Sequence, residues 1–220
     1  MSLDPLFLAS ATLVTALALA PPAARGEGLV VNPDAGRNTF SAVFDARLGE
    51  RITAVSSEVG CEISYDPKGG TASGKCSVPL ESVRVDNDDT KSDHFRQWAT
   101  NKKVEPKDCR IEATFAGVAV GKLVPEKPVP FSAEIPFTVC GRGRADGGRE
   151  KVTGTALLFP AGSYGAHETI RIRAVVAGFD RVAYRVGPQF TEGWLARVQA
   201  LAPIVAQTGT LEISLFAKAK

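Results

Sequence analysis

Val129-Pro130-Phe131-Ser132-Ala133-Glu134-Ile135-Pro136-Phe137-Thr138-Val139 is the stretch on which the fold turns. Val129, Phe131, Ala133, Ile135, Phe137 and Val139 take every second place, with polar residues or proline between them. Successive side chains of a strand point to opposite faces, so this spacing predicts a strand with one apolar and one wet face. The same period recurs in both directions. Phe40, Ala42, Phe44, Ala46 and Leu48 share one side of an expected first strand, and Ile111, Ala113 and Phe115 share one side of another. Ile170, Ile172, Ala174 and Val176 form a further row with Arg171 and Arg173 outside it, and Leu211, Ile213, Leu215 and Ala217 close the chain. Turn-forming clusters separate the rows: Asp66 to Gly70, Pro125 to Pro130, Gly141 to Gly148 and Pro160 to Gly165. Several half-apolar strands divided by such turns predict an all-β, antiparallel barrel or sandwich, with one domain from about residue 27 to 220.

Two segments depart from this period. Thr90 to Thr100 carries Phe95 and Trp98 three apart and predicts a short helix capped by Thr90 or Ser92. Thr191 to Ala202 sets Trp194, Leu195, Val198, Leu201 and Ala202 on one stripe, with Thr191 as cap and Pro203 after the end. That pattern predicts a second amphipathic helix, placed to cover one end of a barrel.

The N-terminus is of another kind. Leu6 to Ala20 is an uncharged run rich in Ala and Leu, followed by Pro21, Pro22, Ala23, Ala24, Arg25 and Gly26. A bilayer span needs roughly 20 apolar residues, and this run is shorter. It has the form of a signal-peptide core, so residues 1–26 are expected to be removed after Ala24 or Gly26 and the chain to be periplasmic or secreted. Asp4 and the lack of Lys or Arg before the run depart from the usual form of such a segment.

The four cysteines, Cys61, Cys76, Cys109 and Cys140, all follow that segment. They contain no Cys-x-x-Cys pair, and His94 and His167 are not spaced as their partners, so no metal site is expected. An even count in an exported chain predicts two disulfides. If the turn at Asp66 to Gly70 is centred between Lys68 and Gly69, Asp66 faces Thr71 and Cys61 faces Cys76. Directly opposed residues lie close enough for a disulfide to close. Cys109–Cys140 then follows by elimination.

Net charge is +2 and 44% of residues are hydrophobic, which points to neither nucleic acid nor an anionic membrane as partner. Catalytic patterns are weak. Ser163, in Ala-Gly-Ser-Tyr-Gly, reads as a turn and not as a nucleophile elbow. His94 reads as a helix residue bonding locally. Asp86-Asn87-Asp88-Asp89-Thr90 starts like a calcium loop, but Lys91 stands where glycine is needed and Gln97 where glutamate is needed. Asp86 is instead expected to hold the strand-to-helix corner. Arg142, Arg144 and Arg149, among glycines, read as a solvated hairpin tip or a phosphate-binding loop at a barrel mouth.

From about residue 30 to 160 the chain resembles the YceI-like family of periplasmic polyisoprenoid-binding proteins. The resemblance is strongest from Val78 to Phe115. Ser82 and Asp86 match the family's strand with a Ser and a following Asp, and Asp93-His94 match the Asp-His pair opening its short helix. Pro106 and Phe115 match its next strand, Phe137-Thr138-Val139-Cys140-Gly141 resembles a later strand end, and Asn38 to Asp45 resembles its opening strand. Phe179 to Pro203 does not follow the family pattern. The resemblance implies a lipocalin-like antiparallel barrel with one or two short helices. It also implies that an isoprenoid or similar lipid lies in an apolar interior, with no cofactor and no covalent chemistry. Phe40, Phe44, Phe115, Phe131 and Phe137, on the inward rows, and Trp194 on the second helix are then the expected ligand contacts. The alternative is an interaction module whose barrel is filled by its own side chains, since barrels of about eight strands do either.

Overall fold

The structure, a computed structural model, describes residues 27–46, 49–190 and 205–220. Twelve strands form one antiparallel sheet. They are β1 (Glu27–Val31), β2 (Thr39–Ala46), β3 (Arg51–Ser56), β4 (Gly60–Asp66), β5 (Thr71–Pro79), β6 (Arg84–Val85), β7 (Arg110–Ala119), β8 (Val129–Ile135), β9 (Phe137–Val139), β10 (Glu150–Phe159), β11 (Thr169–Asp180) and β12 (Val205–Ala219). Among the described residues one α-helix, α1 (Asp89–Thr100), lies between β6 and β7. The expected signal peptide, Leu48 and the expected helix at Thr191 to Ala202, with Trp194, lie outside the described residues.

The sheet closes on itself. From β12 the pairings run through β1, β4 and β5 to β7 on one side, and through β11 and β10 to β8 on the other. The arcs meet in the stretch read first from the sequence. Its alternation holds throughout, with Ile135, Phe137 and Val139 buried, but it is two strands and not one. β8 pairs with β10 and β9 pairs with β7. The exchange falls at Pro136, which has no N–H to donate, and whose carbonyl accepts from the Thr114 amide.

A second branch leaves the ring at β12 and runs through β2 and β3 to β6. The expected first strand, starting near Thr39, is therefore preceded by β1. Both β1 and β2 lie along the same edge of β12, one after the other. At the jog between them, buried asparagines take over from the backbone ladder. Asn38 Oδ1 accepts from the Phe216 amide at 2.7 Å, and its Nδ2 donates to the Asn32 carbonyl at 3.2 Å. The Asn32 amide donates to the Phe216 carbonyl at 2.7 Å. Buried polar groups need such partners, because leaving one unmatched costs about 1–3 kcal/mol. Gly36 belongs to the same corner: a Cβ there would sit 2.7 Å from the Phe216 ring.

The β4–β5 hairpin has the register expected from its turn, with Asp66 opposite Thr71 and Cys61 opposite Cys76. Disulfides join Cys61 to Cys76 and Cys109 to Cys140. The second ties the start of β7 to the end of β9.

In β11 the alternation changes phase. Ile170, Ala174 and Val176 obey the expected period, but pairing with β12 shifts register between Ala177 and Phe179. Gly178 sits at this bulge with φ +74°. A bulge inserts one unpaired residue, and a slip of one residue exchanges the faces of everything after it. Phe179 and Arg181 therefore turn inward, where an unbroken period would send Gly178 and Asp180.

α1 starts one residue earlier than expected, at Asp89. Asp88, not Thr90 or Ser92, is the N-cap: its backbone is extended and its carboxylate accepts from the Lys91 amide at 2.9 Å. Ser92 is buried inside the first turn, where its Oγ accepts from the Val85 amide and donates to the Asp88 carbonyl. Asp86 holds the corner. One carboxylate oxygen accepts from the Thr53 amide at 2.8 Å and the other from Lys91 Nζ at 2.8 Å. Burial opposes its ionisation, but the bonds from Lys91 and Thr53 outweigh that and hold the carboxyl below its ordinary value.

Candidate ligand-binding cavities

The inward rows do not fill the barrel. Two cavities follow one another along them. The outer one has a volume of about 350 Å³ and lies between the β2–β3 branch, β6, α1 and the end of β11. Its wall includes Phe40, Ala42 and Phe44 of β2, Ile52 and Ala54 of β3, Val85 of β6, Phe95 and Trp98 of α1, and Phe179, Val186, Val205 and Leu211. The inner one has a volume of about 110 Å³ and lies within the ring, lined by Leu29, Ile63, Phe115, Phe131, Phe137, Ile172, Ile213 and Leu215 among others.

Single strands lead from one cavity into the other in steps of two residues. Ile111 lines the outer cavity and Ala113 the inner; Val139 the outer and Phe137 the inner; Leu211 the outer and Ile213 the inner. At the junction the Phe137 and Phe179 rings stand 6.4 Å apart, tilted by 59°. Tyr65 also lines the inner cavity. Its hydroxyl donates to the Gly121 carbonyl at 3.1 Å and accepts from the Leu123 amide at 3.0 Å.

A polar frame behind the outer cavity sets the position of Phe179. Its ring stacks on Tyr184 at 4.8 Å, and Tyr184 is fully buried. The Tyr184 hydroxyl donates to Glu150 at 2.8 Å, and Arg144 donates to the same carboxylate oxygen at 2.8 Å. Burial first, and the Glu150 carboxylate second, push the Tyr184 phenol well above its ordinary value, so it stays a donor. Arg144 also forks onto both oxygens of Asp146. Arg142 donates to the carbonyls of Tyr184 and Ala99, which anchors the C-terminal end of α1. Of the glycine-rich arginine segment, Arg142 and Arg144 are partly buried in this frame, whereas Arg149 is exposed. Arg142 donates to the backbone at Tyr184 and at the end of α1, and Arg144 to Asp146 and Glu150, behind the cavity and not in its lining.

The five described phenylalanines expected to meet a ligand all line these spaces: Phe40 and Phe44 the outer, Phe115, Phe131 and Phe137 the inner. His94 lies at the wall of the outer cavity on an exposed face of α1. Ser163 lies in the turn before β11, at the opposite end of that strand from the outer cavity. Among the described residues no group of His, Cys, Asp and Glu is arranged to hold a metal ion. None of their helices is long and apolar enough to cross a membrane.

Sequence reading missed Phe179, Arg181 and Val186, because the bulge reverses the faces of β11 just before them. It found Phe95 and Trp98 as a helical pair without placing them on a cavity. Their spacing, with an apolar strand on either side of the helix, was the available signal.

No family model and no curated protein matches the sequence. Among solved structures, a polyisoprenoid-binding domain from Saccharophagus degradans, implicated in plant cell wall breakdown, superposes with a TM-score of 0.62 at 14% identity. The match covers 89% of this chain and 99% of that one. The chain thus has the fold of that polyisoprenoid-binding domain, an antiparallel barrel, in agreement with the YceI-like resemblance of its sequence.

Proposed function

We propose that this protein is an exported carrier that holds a polyisoprenoid or similar long apolar ligand by burial alone, without catalysis. The observation that carries this reading is the pair of apolar cavities in line along the barrel rows, walled by Phe40, Phe44, Phe115, Phe131 and Phe137. The space of about 350 Å³ at one end favours a carrier over an interaction module whose barrel is filled by its own side chains. Burial stabilises a bound tail by about 25 cal/mol per Å² of apolar surface, less the cost of ordering it. The solved polyisoprenoid-binding domain of the same fold supports the ligand class. Two disulfides suit an oxidising compartment, and we place the protein in the periplasm or outside the cell on that ground and on the N-terminal run.

The test is native mass spectrometry of gently purified protein, followed by lipid extraction and by titration of delipidated protein with farnesol and longer prenols. A bound prenyl-type species, or saturable uptake lost in Phe40→Asp, is the expected result. Protein that carries no lipid and takes up none of the prenols refutes the proposal.

A further inference from the structure

The outer cavity has a chemical bias that apolar burial does not explain. Three side chains in its wall are charged or titratable, Lys91, His94 and Arg181, and all three are basic. No carboxylate lines it among the described residues. Lys91 is already engaged by Asp86 at 2.8 Å. His94 is exposed. Arg181 is different, at 7% exposure.

Its guanidinium donates from Nε to the Ala206 carbonyl at 2.9 Å, from one terminal nitrogen to the Val186 carbonyl at 2.8 Å, and from the other to the Val205 carbonyl at 2.9 Å. These are neutral acceptors. A guanidinium has five N–H groups, and three are used. No described residue forms an ion pair with Arg181. The neighbouring Asp180 turns its carboxylate to the amides of Val182 and Ala183 and to Gln207. Burial draws the guanidinium below its ordinary value, but arginine remains charged under any condition a protein meets. Buried charges are normally paired, because desolvation costs several kcal/mol. The β11 bulge puts this cation, and not Asp180, on the cavity side.

We propose that the outer cavity receives the oxyanionic head group of an amphiphile, a carboxylate or a phosphate, with Arg181 as its counter-charge and the tail running inward past Phe137. This rests on the carrier function proposed above, and adds to it the charge of the ligand and the end at which its head sits.

Farnesol, farnesoic acid and farnesyl phosphate share one tail and differ in the head. Their affinities for the delipidated full chain, read by Trp fluorescence and calorimetry, test the proposal directly. At least one of the two anions should bind about tenfold or more tighter than the alcohol. Which one does so distinguishes a carboxylate from a phosphate ligand. The preference should persist from about 0.05 to about 0.5 M NaCl, since a buried pair is screened far less than a surface one. It should survive Lys91→Gln and disappear in Arg181→Met. If that variant does not fold, the salt-resistant preference of the unaltered protein stands as the deciding measurement. Equal binding of all three ligands, or a preference erased by salt or by Lys91→Gln, overturns the anion site and leaves the carrier function intact. No binding of any of the three removes both.

Discussion

Gly178 offers a sharp test of how this chain builds its cavity. Its φ of +74° lies in the left-handed region, and a Cβ placed on it would meet no heavy atom within 4 Å. Substitution therefore costs backbone strain and nothing else. For alanine that strain is about 1–2 kcal/mol. Asparagine tolerates the region better, and a β-branched residue worse. Straightening the strand to escape the strain would expose Phe179, forfeiting about 1.5–3 kcal/mol of burial. It would also break three charged hydrogen bonds of Arg181 and turn Asp180 toward apolar space. The bulge is the cheaper state, so it persists in the variants. Chemical denaturation should rank stability as Gly178, then Gly178→Asn, Gly178→Ala and Gly178→Val. The alanine variant should melt about 2–8 °C below the parent, taking 2–4 °C per kcal/mol for a chain of this size. Prenol binding should be unchanged in all three. Deleting residue 178 is another matter: it removes the extra residue, inverts everything beyond it and should abolish binding. An alanine variant as stable as the parent, or a deletion that binds normally, would show that the bulge does not set the inward face.

Other consequences are independent of that one. Tyr184→Phe removes one bond to Glu150 and should cost about 0.5–1.5 kcal/mol, whereas Glu150→Ala leaves the buried Tyr184 hydroxyl without its acceptor, Arg144 keeping Asp146, and should cost about 1–3 kcal/mol by urea unfolding; a smaller loss for Glu150→Ala than for Tyr184→Phe would mean that Glu150 does not hold the frame. The disulfides close sequence separations of 15 and 31 residues. Replacing each pair by alanine should destabilise by about 3 and about 3.7 kcal/mol respectively, on loop entropy. A larger loss from the shorter loop would contradict that account. Asp86 has a carboxyl held below its ordinary value of 3.8, so its contribution is present above that pH and fades as pH falls through the folded value. Asp86→Asn should thus be less stable than the parent at neutral pH, with the gap narrowing below pH 3.8, as followed by thermal melts across acid pH; a gap that widens on acidification refutes it.

Much of the barrel was legible because period two survives almost any tertiary context. The rows at Phe40, Ile111, Phe131 and Leu211 all face inward as spacing demands. Cys61 and Cys76 were legible through the register of one turn. What spacing does not encode is partnership. The stretch from Val129 to Val139 looks like one strand, and only the missing N–H of Pro136 hints that it serves two neighbours. Gly178 carries no such signal, since a glycine in sequence reads alike whether it bends a ladder or merely loosens it. The residues just after it were therefore given no face, and Arg181 went unseen. The cap is Asp88 and not the expected Thr90 or Ser92, because Asp88, Asp89, Thr90 and Ser92 all suit the role.

Asn38 and Phe216, bonded across a sequence separation of 178, lie where the first strands meet the last. β12 is the common neighbour of β1, β2 and β11. No ring can form until that strand arrives, so a chain growing from its N-terminus stays an open, unsealed sheet throughout synthesis. Folding dominated by such distant pairings is slow. Slowness of this kind suits the export proposed above, in which the chain would cross a membrane unfolded and acquire its shape, and its cross-links, on the far side.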